Sequence, residues 1–314
     1  MGEKESLIMP AANSTIAGEV DALFYFILYA SIVIFFLVVA ITGYFLIRYR
    51  RKGKAELTSG VDHNLKLEIF WTVIPTILVF IVFFWGFDTF LKMHVAPQDA
   101  IEIKATGQKW FWTFDYPNGS KGVNELVVPA NQPVKLLLSS TDVIHSFFVP
   151  EFRVKMDALP NRYTVAWFEA TEVGEYTIFC TEYCGTGHSE MLGKVTVLPN
   201  VLYEKWLAES QVDIPEGMSL EEAGANLYKS RACNTCHSID GGVGVAPSFR
   251  GIFGSTENLA DGSSLTVDEN YLRKSILNPQ AQIVAGYAPV MPTYQNVLSD
   301  RQIDALIAYI KSLK

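Results

Sequence analysis

Two stretches of this 314-residue chain carry no formal charge, and they constrain its fold before anything else does. Ala22 to Ile47 runs for 26 residues, and Ile69 to Phe87 for another 19. As a helix the first extends roughly 39 Å at 1.5 Å per residue, enough to cross a bilayer core of about 30 Å with some tilt. Pro75 falls inside the second run, where a membrane helix tolerates it and a kink is expected. A buried soluble hairpin is the alternative, but two uncharged runs this long and this close favour a transmembrane pair. Composition agrees. With 49 % hydrophobic and 18 % charged residues, a disordered chain is excluded and a purely soluble one disfavoured.

Arg48, Arg50, Arg51, Lys52, Lys54 and Lys66 lie between the runs. Short loops rich in Lys and Arg stay cytoplasmic. Both termini are therefore expected on the outer, periplasmic side of a bacterial inner membrane crossed by two helices. The first 20 residues hold no cleavable signal pattern and no cysteine for lipidation, so the first helix is expected to serve as its own export signal. A net charge of −8 and a pI near 5.2 exclude nucleic-acid binding. His63 and His94 flank the helices on opposite sides of the membrane and read as surface residues.

From about Val95 the pattern changes to short alternating strands, among them Ile101–Ala105, Trp110–Tyr116, Val134–Ser139, Thr164–Glu169, Glu175–Phe179 and Lys194–Leu198. Such spacing predicts an all-β sandwich or small barrel. A short helix over Val201–Glu209 and a polar linker over Ser210–Met218 follow. Helices are expected next at Leu220–Arg231, Glu269–Leu277 and Asp300–Leu313, with Ser219 and Glu222 as a capping box and Asp300 as a cap. The expected division is 1–94, 95–200, 201–218 and 219–314: membrane hairpin, β domain, helix with linker, and all-α domain.

Cys233-Asn-Thr-Cys236-His237 is C-x-x-C-H, the attachment sequence for c-type haem. Two thiols hold the porphyrin and the adjacent imidazole becomes an axial ligand. A redox dithiol or half a zinc site is the competing reading. No histidine follows His237, and the only later methionine is Met291, in a loop stiffened by Pro289 and Pro292. Met/His ligation raises the potential and leaves no open position, which suits electron transfer.

Cys180-Thr-Glu182-Tyr-Cys184-Gly-Thr-Gly-His188-Ser-Glu-Met191 supplies thiolate, imidazole and thioether groups from one loop. Those are copper ligands rather than magnesium or calcium ligands. Two thiolates can bridge a pair of copper ions, with His145 as the further imidazole. A disulfide between Cys180 and Cys184 is the alternative in an exported domain.

These motifs carry two resemblances. The last 95 or so residues resemble a small class I cytochrome c, in which Pro247 matches the proline that steadies the histidine ligand and Tyr228 and Tyr309 match contacts between terminal helices. Residues from about 20 to 209 resemble subunit II of cytochrome c oxidase, with its transmembrane hairpin and cupredoxin domain. That resemblance implies a dinuclear CuA site on His145, Cys180, Glu182 (through its backbone carbonyl), Cys184, His188 and Met191. It also implies a magnesium ion near the Glu182 carboxylate, shared with subunit I. Gly107-Gln-Lys-Trp110-Phe-Trp112 resembles the aromatic segment through which electrons reach copper, with Trp110 as the receiving residue. Lys155–Arg162 resembles the loop that docks on subunit I, although Asn161 stands where the family has glycine. Glu68 matches a carboxylate at the mouth of a proton pathway.

The resemblance implies a caa-type oxidase subunit that takes electrons at its own haem c and passes them through CuA to the haem–copper subunit I. There dioxygen is reduced to water with proton pumping, so no catalytic residue of the oxygen chemistry lies in this chain. The implied partners are subunits I and III, the lipid bilayer, and a cytochrome c or quinol-oxidising complex as donor. Residues 219–314 hold 8 Lys/Arg and 9 Asp/Glu, a balance of −1, so a weakly charged or directly docked donor is expected. The alternatives are the CuA subunit of a nitric oxide reductase and a stand-alone membrane electron carrier.

Overall fold

The computed structural model describes residues 6, 8–51, 53, 60–210, 214–215, 217–242, 244–295 and 297–314. Lys52 and Lys54 of the basic loop, and residues 211–213 and 216 of the expected linker, lie outside the described residues.

Both apolar runs are helices, longer than their uncharged cores: α1 (Ala17–Arg48) and α2 (Leu65–His94). Each is long and apolar enough to cross a membrane. Large apolar side chains such as Phe35, Phe36, Phe83 and Phe84 point outward, as they do where lipid or neighbouring helices are the solvent. The Asn64 side chain caps α2 by accepting the Leu67 N–H, and the helix continues through Pro75.

The chain on either side of the hairpin meets one domain. Before α1, the Asn13 N–H donates to Glu151 O, the Thr15 N–H to Glu169 O, and Ser14 bridges to Ala170. The nearly buried Arg153 guanidinium donates to both Asp21 carboxylate oxygens at 2.7 and 2.8 Å. At the end of α2 the Trp167 indole N–H donates to Lys92 O. The two outer ends of the hairpin therefore lie on the same side.

That domain holds ten strands: β1 (Ile101–Gln108), β2 (Phe111–Asp115), β3 (Lys121–Val123), β4 (Glu125–Pro129), β5 (Pro133–Ser140), β6 (His145–Val149), β7 (Val154–Ala158), β8 (Thr164–Glu169), β9 (Gly174–Cys180) and β10 (Leu192–Leu198). They form two five-stranded sheets, ordered β3-β2-β1-β5-β8 and β4-β10-β9-β6-β7. Strand alternation makes the core: Val134, Leu136 and Leu138 of β5 point inward against Phe147, Phe152 and Phe168. Two predicted details change. Trp110 precedes β2 rather than opening it, and a strand the pattern did not announce, β6, begins at His145.

Helix α3 (Asn200–Glu209) packs Trp206 edge-on against Tyr116 of the sandwich. Asn118 donates to Leu207 O, and the Ser120 and Ser210 hydroxyls lie 2.7 Å apart. Ile214 is already buried in the core of the next domain. Ser210 and Ile214, both within the expected Ser210–Met218 linker, are thus each anchored to a different domain.

The C-terminal domain consists of α4 (Leu220–Ser230), α5 (Glu269–Leu277) and α6 (Asp300–Ser312), plus a short hairpin of β11 (Thr256–Asn258) and β12 (Ser264–Thr266) that the helical pattern did not announce. The Ser219 hydroxyl accepts the Glu222 N–H, one half of the expected capping box. At α6 the cap is Ser299, not Asp300: Ser299 and Gln302 form the reciprocal capping box and Asp300 is the first helical residue. Helices α4 and α6 cross closely at Gly224, where a Cβ would lie 2.0 Å from Ala305 O. Tyr228 and Tyr309 meet beside that crossing, ring centres 5.7 Å apart.

Candidate metal and haem centres

The strand register builds the first site. Phe147 of β6 pairs with Cys180 of β9, so His145, two residues before Phe147, shares a face with the neighbourhood of Cys180. The Cys180 Sγ lies 3.9 Å from His145 Nδ1, 3.4 Å from Glu182 O and 3.8 Å from Cys184 Sγ. The Cys184 Sγ in turn lies 3.5 Å from His188 Nδ1 and 3.8 Å from Met191 Sδ. All six residues named from the sequence come together, His145 and Met191 without solvent exposure. The sulfurs are free, so the disulfide alternative is not what forms.

Charge explains what such a cluster is for. Burial works against ionising Cys180, but hydrogen bonds from His145 and from the Ser146 and Glu182 backbone bring its thiol down to about 6. Burial, and then the neighbouring Cys180 charge, push Cys184 up to about 12. Two buried sulfurs this close do not both ionise on their own. A soft cation held among them would change that, since a coordinating thiol is deprotonated outright. The donor set of two thiols, two imidazoles, a thioether and a carbonyl fits copper.

Asp142 was not singled out in the sequence. Its Oδ1 lies 2.8 Å from His145 Nε2, fixing the imidazole so that Nδ1 faces Cys180. Burial opposes its charge, yet bonds from His145 and from the Lys109 and Val143 N–H groups hold its carboxyl down at about 2. The D-x-x-H spacing was the available signal. Gly107 is the second omission: a Cβ there would stand 3.0 Å from the His145 ring and 3.1 Å from Trp112, so any side chain would crowd the imidazole.

Trp110 covers the Cys180–Met191 loop. Its indole N–H donates to Cys184 O at 3.3 Å. Gly187 lies under the ring, where a Cβ would approach Cδ2 to 2.5 Å.

The second site is a cavity of about 430 Å³ lined by Cys236, His237, Met291 and Tyr294. His237 Nδ1 sits 2.8 Å from Pro247 O, as the cytochrome resemblance implies, which leaves Nε2 as the lone-pair nitrogen. Phe249 stacks on the ring at 4.3 Å. Burial keeps His237 neutral by lowering its pKa. Burial also pushes Cys233 up to about 12, the opposite of the depressed thiol a redox dithiol needs. An apolar slot between an imidazole and a thioether, with two cysteines at its wall, fits a covalently attached haem. Tyr294, unmarked in the sequence, donates to Arg231 O just before the haem motif.

Trp110 and Gly187 line the same cavity from the other domain. Phe111 stacks on Tyr294 across the seam, planes 3° apart, and Arg231 Nη1 donates to Lys121 O. The cytochrome-like domain is therefore docked on the Cys180–Met191 loop.

The remaining candidates lie elsewhere. The Glu68 carboxylate accepts the Asn64 N–H at the start of α2. The Glu182 side chain is exposed beside the copper cluster. Asn161 adopts φ of 59°, the left-handed conformation that asparagine and glycine tolerate best. His63 pairs with Asp62, and His94 with Phe90 O, both exposed and apart from either site.

The fold and its two sites define a membrane-anchored cupredoxin joined to a c-type cytochrome domain. Comparison with known families agrees along most of the chain. Residues 2–89 match the transmembrane domain of cytochrome c oxidase subunit II, residues 120–197 its periplasmic domain, and residues 221–314 cytochrome c. A cytochrome c oxidase subunit 2 from Alkalihalophilus pseudofirmus is 35 % identical over 294 residues, covering 90 % of this chain and 83 % of the relative. One from Synechocystis sp. is 27 % identical over 262 residues, covering 68 % and 79 %. The crystal structure of the periplasmic domain of subunit II from Bradyrhizobium japonicum is 30 % identical, covers 37 % of this chain and 97 % of that one, and superposes with a TM-score of 0.36. The chain belongs to the cytochrome c oxidase subunit II family and carries a C-terminal cytochrome c domain.

Proposed function

We propose that this chain is the electron-accepting subunit of a caa-type oxidase, with haem c on Cys233, Cys236, His237 and Met291 and CuA on His145, Cys180, Glu182, Cys184, His188 and Met191. The single observation that carries this reading is the shared wall: the haem cavity and the copper-ligand loop meet at Trp110. When bound, the two groups supply one-electron chemistry, relaying electrons from an external donor toward subunit I, where dioxygen is reduced to water and protons are pumped.

The chain's own residues do the positioning. His237 and Met291 would be the residues that hold the haem iron, and two protein ligands would leave no open position, which would favour electron transfer over ligand chemistry. Asp142, Gly107 and Trp112 fix the His145 ring, and the low exposure of Cys180, Cys184 and Met191 keeps water out. Trp110 bridges the domains as the receiving residue. Four Cα steps from Ser210 to Ile214 span at most about 15 Å, so the cytochrome domain stays within reach of the loop at high effective concentration.

The same reading assigns subunits I and III as partners, with the Lys155–Arg162 loop docking on subunit I. Glu182 is assigned to a shared Mg2+ and Glu68 to the mouth of a proton pathway. The domain limits 1–94, 95–200, 201–218 and 219–314 follow from it, as do outward termini in a bacterial inner membrane. A cytochrome domain balanced at −1 suits a weakly charged donor, a small cytochrome or a quinol-oxidising complex, whose turnover is expected to vary little with salt. The direct test is His145→Ala in the full chain. Copper is expected to be lost while the c-haem spectrum stays intact; an unchanged copper content rules His145 out as a ligand.

A further inference from the structure

The Asp142 carboxylate divides its two oxygens between two parts of the electron path. Oδ1 lies 2.8 Å from His145 Nε2 and also accepts the Val143 N–H at 2.6 Å. Oδ2 accepts the Lys109 N–H at 2.8 Å, from the residue immediately before Trp110. The Ser140 hydroxyl braces the carboxylate, 3.3 Å from Oδ1. On its far side the Trp110 indole is bonded to Cys184 O. The tryptophan is thus tied through the N–H of the residue before it to the His145 and Cys180 half of the cluster, and by its ring to the Cys184, His188 and Met191 half.

We propose that Asp142 is a positioning residue that holds the His145 imidazole and the Lys109-Trp110 segment in one frame, so that the copper ligand and the receiving indole keep a fixed separation. The inference rests on the reading of Trp110 as the electron-receiving residue and adds the group that sets its place. A carboxylate is needed because both sides present donors: an imidazole N–H on one, a backbone N–H on the other. An asparagine of the same shape offers one acceptor and one donor. With its carbonyl toward His145, its amide N–H faces the Lys109 N–H, donor against donor. With the amide turned round, the ring must carry its proton on Nδ1, the nitrogen that faces Cys180 and would bind metal. Only the first orientation is compatible with a bound metal, and it releases the Lys109 segment.

The test uses the full chain with both groups loaded and compares Asp142→Asn with Asp142→Ala. Three readouts are taken: copper content, amide hydrogen exchange at Lys109-Trp110, and the rate at which a photoreduced haem passes its electron to copper. Asp142→Asn is expected to keep its copper, while exchange at Lys109-Trp110 rises about tenfold and transfer slows by a similar factor. Asp142→Ala, which abandons both bonds, is expected to lose copper as well. Unaltered exchange and transfer in Asp142→Asn overturn the proposal. So does parallel loss of copper in both variants, which would make the carboxylate a support of the metal site alone. A Trp110→Leu control separates the underlying reading. Unchanged transfer there removes Trp110 from the path, while the exchange measurement still decides whether Asp142 holds the segment.

Discussion

The candidate copper site and the candidate haem cavity are both built from one short motif plus a distant residue, but they are held in opposite ways. The candidate copper donors already touch one another, between 3.4 and 3.9 Å apart, because β6 and β9 are hydrogen-bonded neighbours whose register sets where His145 and Cys180 stand. His237 and Met291 instead line a cavity of about 430 Å³ from two separate loops, with side chains of α5 and α6 completing its wall. A site assembled by a sheet is preorganised by the fold. A site whose ligands stand on separate loops around an open cavity depends on the group it encloses for part of its own core.

That contrast can be broken most decisively by removing each attachment. Cys233→Ser with Cys236→Ser is expected to abolish covalent haem and most of the cytochrome domain's stability. Small domains hold only about 5–15 kcal/mol in all. Calorimetry of the full chain is expected to show that transition disappear while the β-domain transition stays. A cytochrome transition that survives unshifted breaks the comparison. His145→Ala should do the reverse, leaving both transitions in place at the cost of copper. Met291→Ala leaves the haem attached and is expected to lower its potential by some part of the roughly 0.8 V that axial ligands span, as redox titration would read. No change would mean another ligand is used.

Smaller changes sharpen the contrast. Gly187→Ala pushes a methyl group into the Trp110 ring and is expected to cost about 1–3 kcal/mol by overpacking. It should slow delivery to copper without removing the metal; an unaltered rate in stopped-flow would detach Trp110 from the path. Asp157, bonded to the Ser146 hydroxyl and then to Lys155, has its pKa lowered. A depressed carboxylate stabilises the fold above its unfolded pKa near 3.9, and that contribution fades as pH falls through and below it. The group is half exposed, so Asp157→Asn is expected to cost less than about 1 kcal/mol at pH 7 and nothing in strong acid. Denaturant melts at both pH values measure this. A cost independent of pH would assign the effect to packing.

Much of this was legible in the sequence because ligand chemistry is local. Cys180 to Met191 and Cys233 to His237 are short motifs whose residue types name the element they bind. The uncharged runs gave the hairpin, and Ser219 the start of α4. What escaped depends on tertiary approach. Gly224 and Gly187 are glycines because another segment passes within a methyl group's radius, which no local pattern records. Asp142 reads as a loop acid until β6 turns His145 toward it. The linker looked long because polarity marks exposure, not whether Ser210 and Ile214 are each anchored to a different core. The docking of one domain on the other was likewise invisible, since Phe111 and Tyr294 are 183 positions apart and meet only in three dimensions.

The central claim is that one chain holds both centres. It is tested most directly by copper and iron analysis with optical spectra on the purified full chain. Two coppers per iron, a mixed-valence near-infrared band and a c-type haem spectrum are the expected result. Iron without copper after reconstitution would contradict it and leave a membrane-anchored cytochrome whose Cys180 and Cys184 serve no metal.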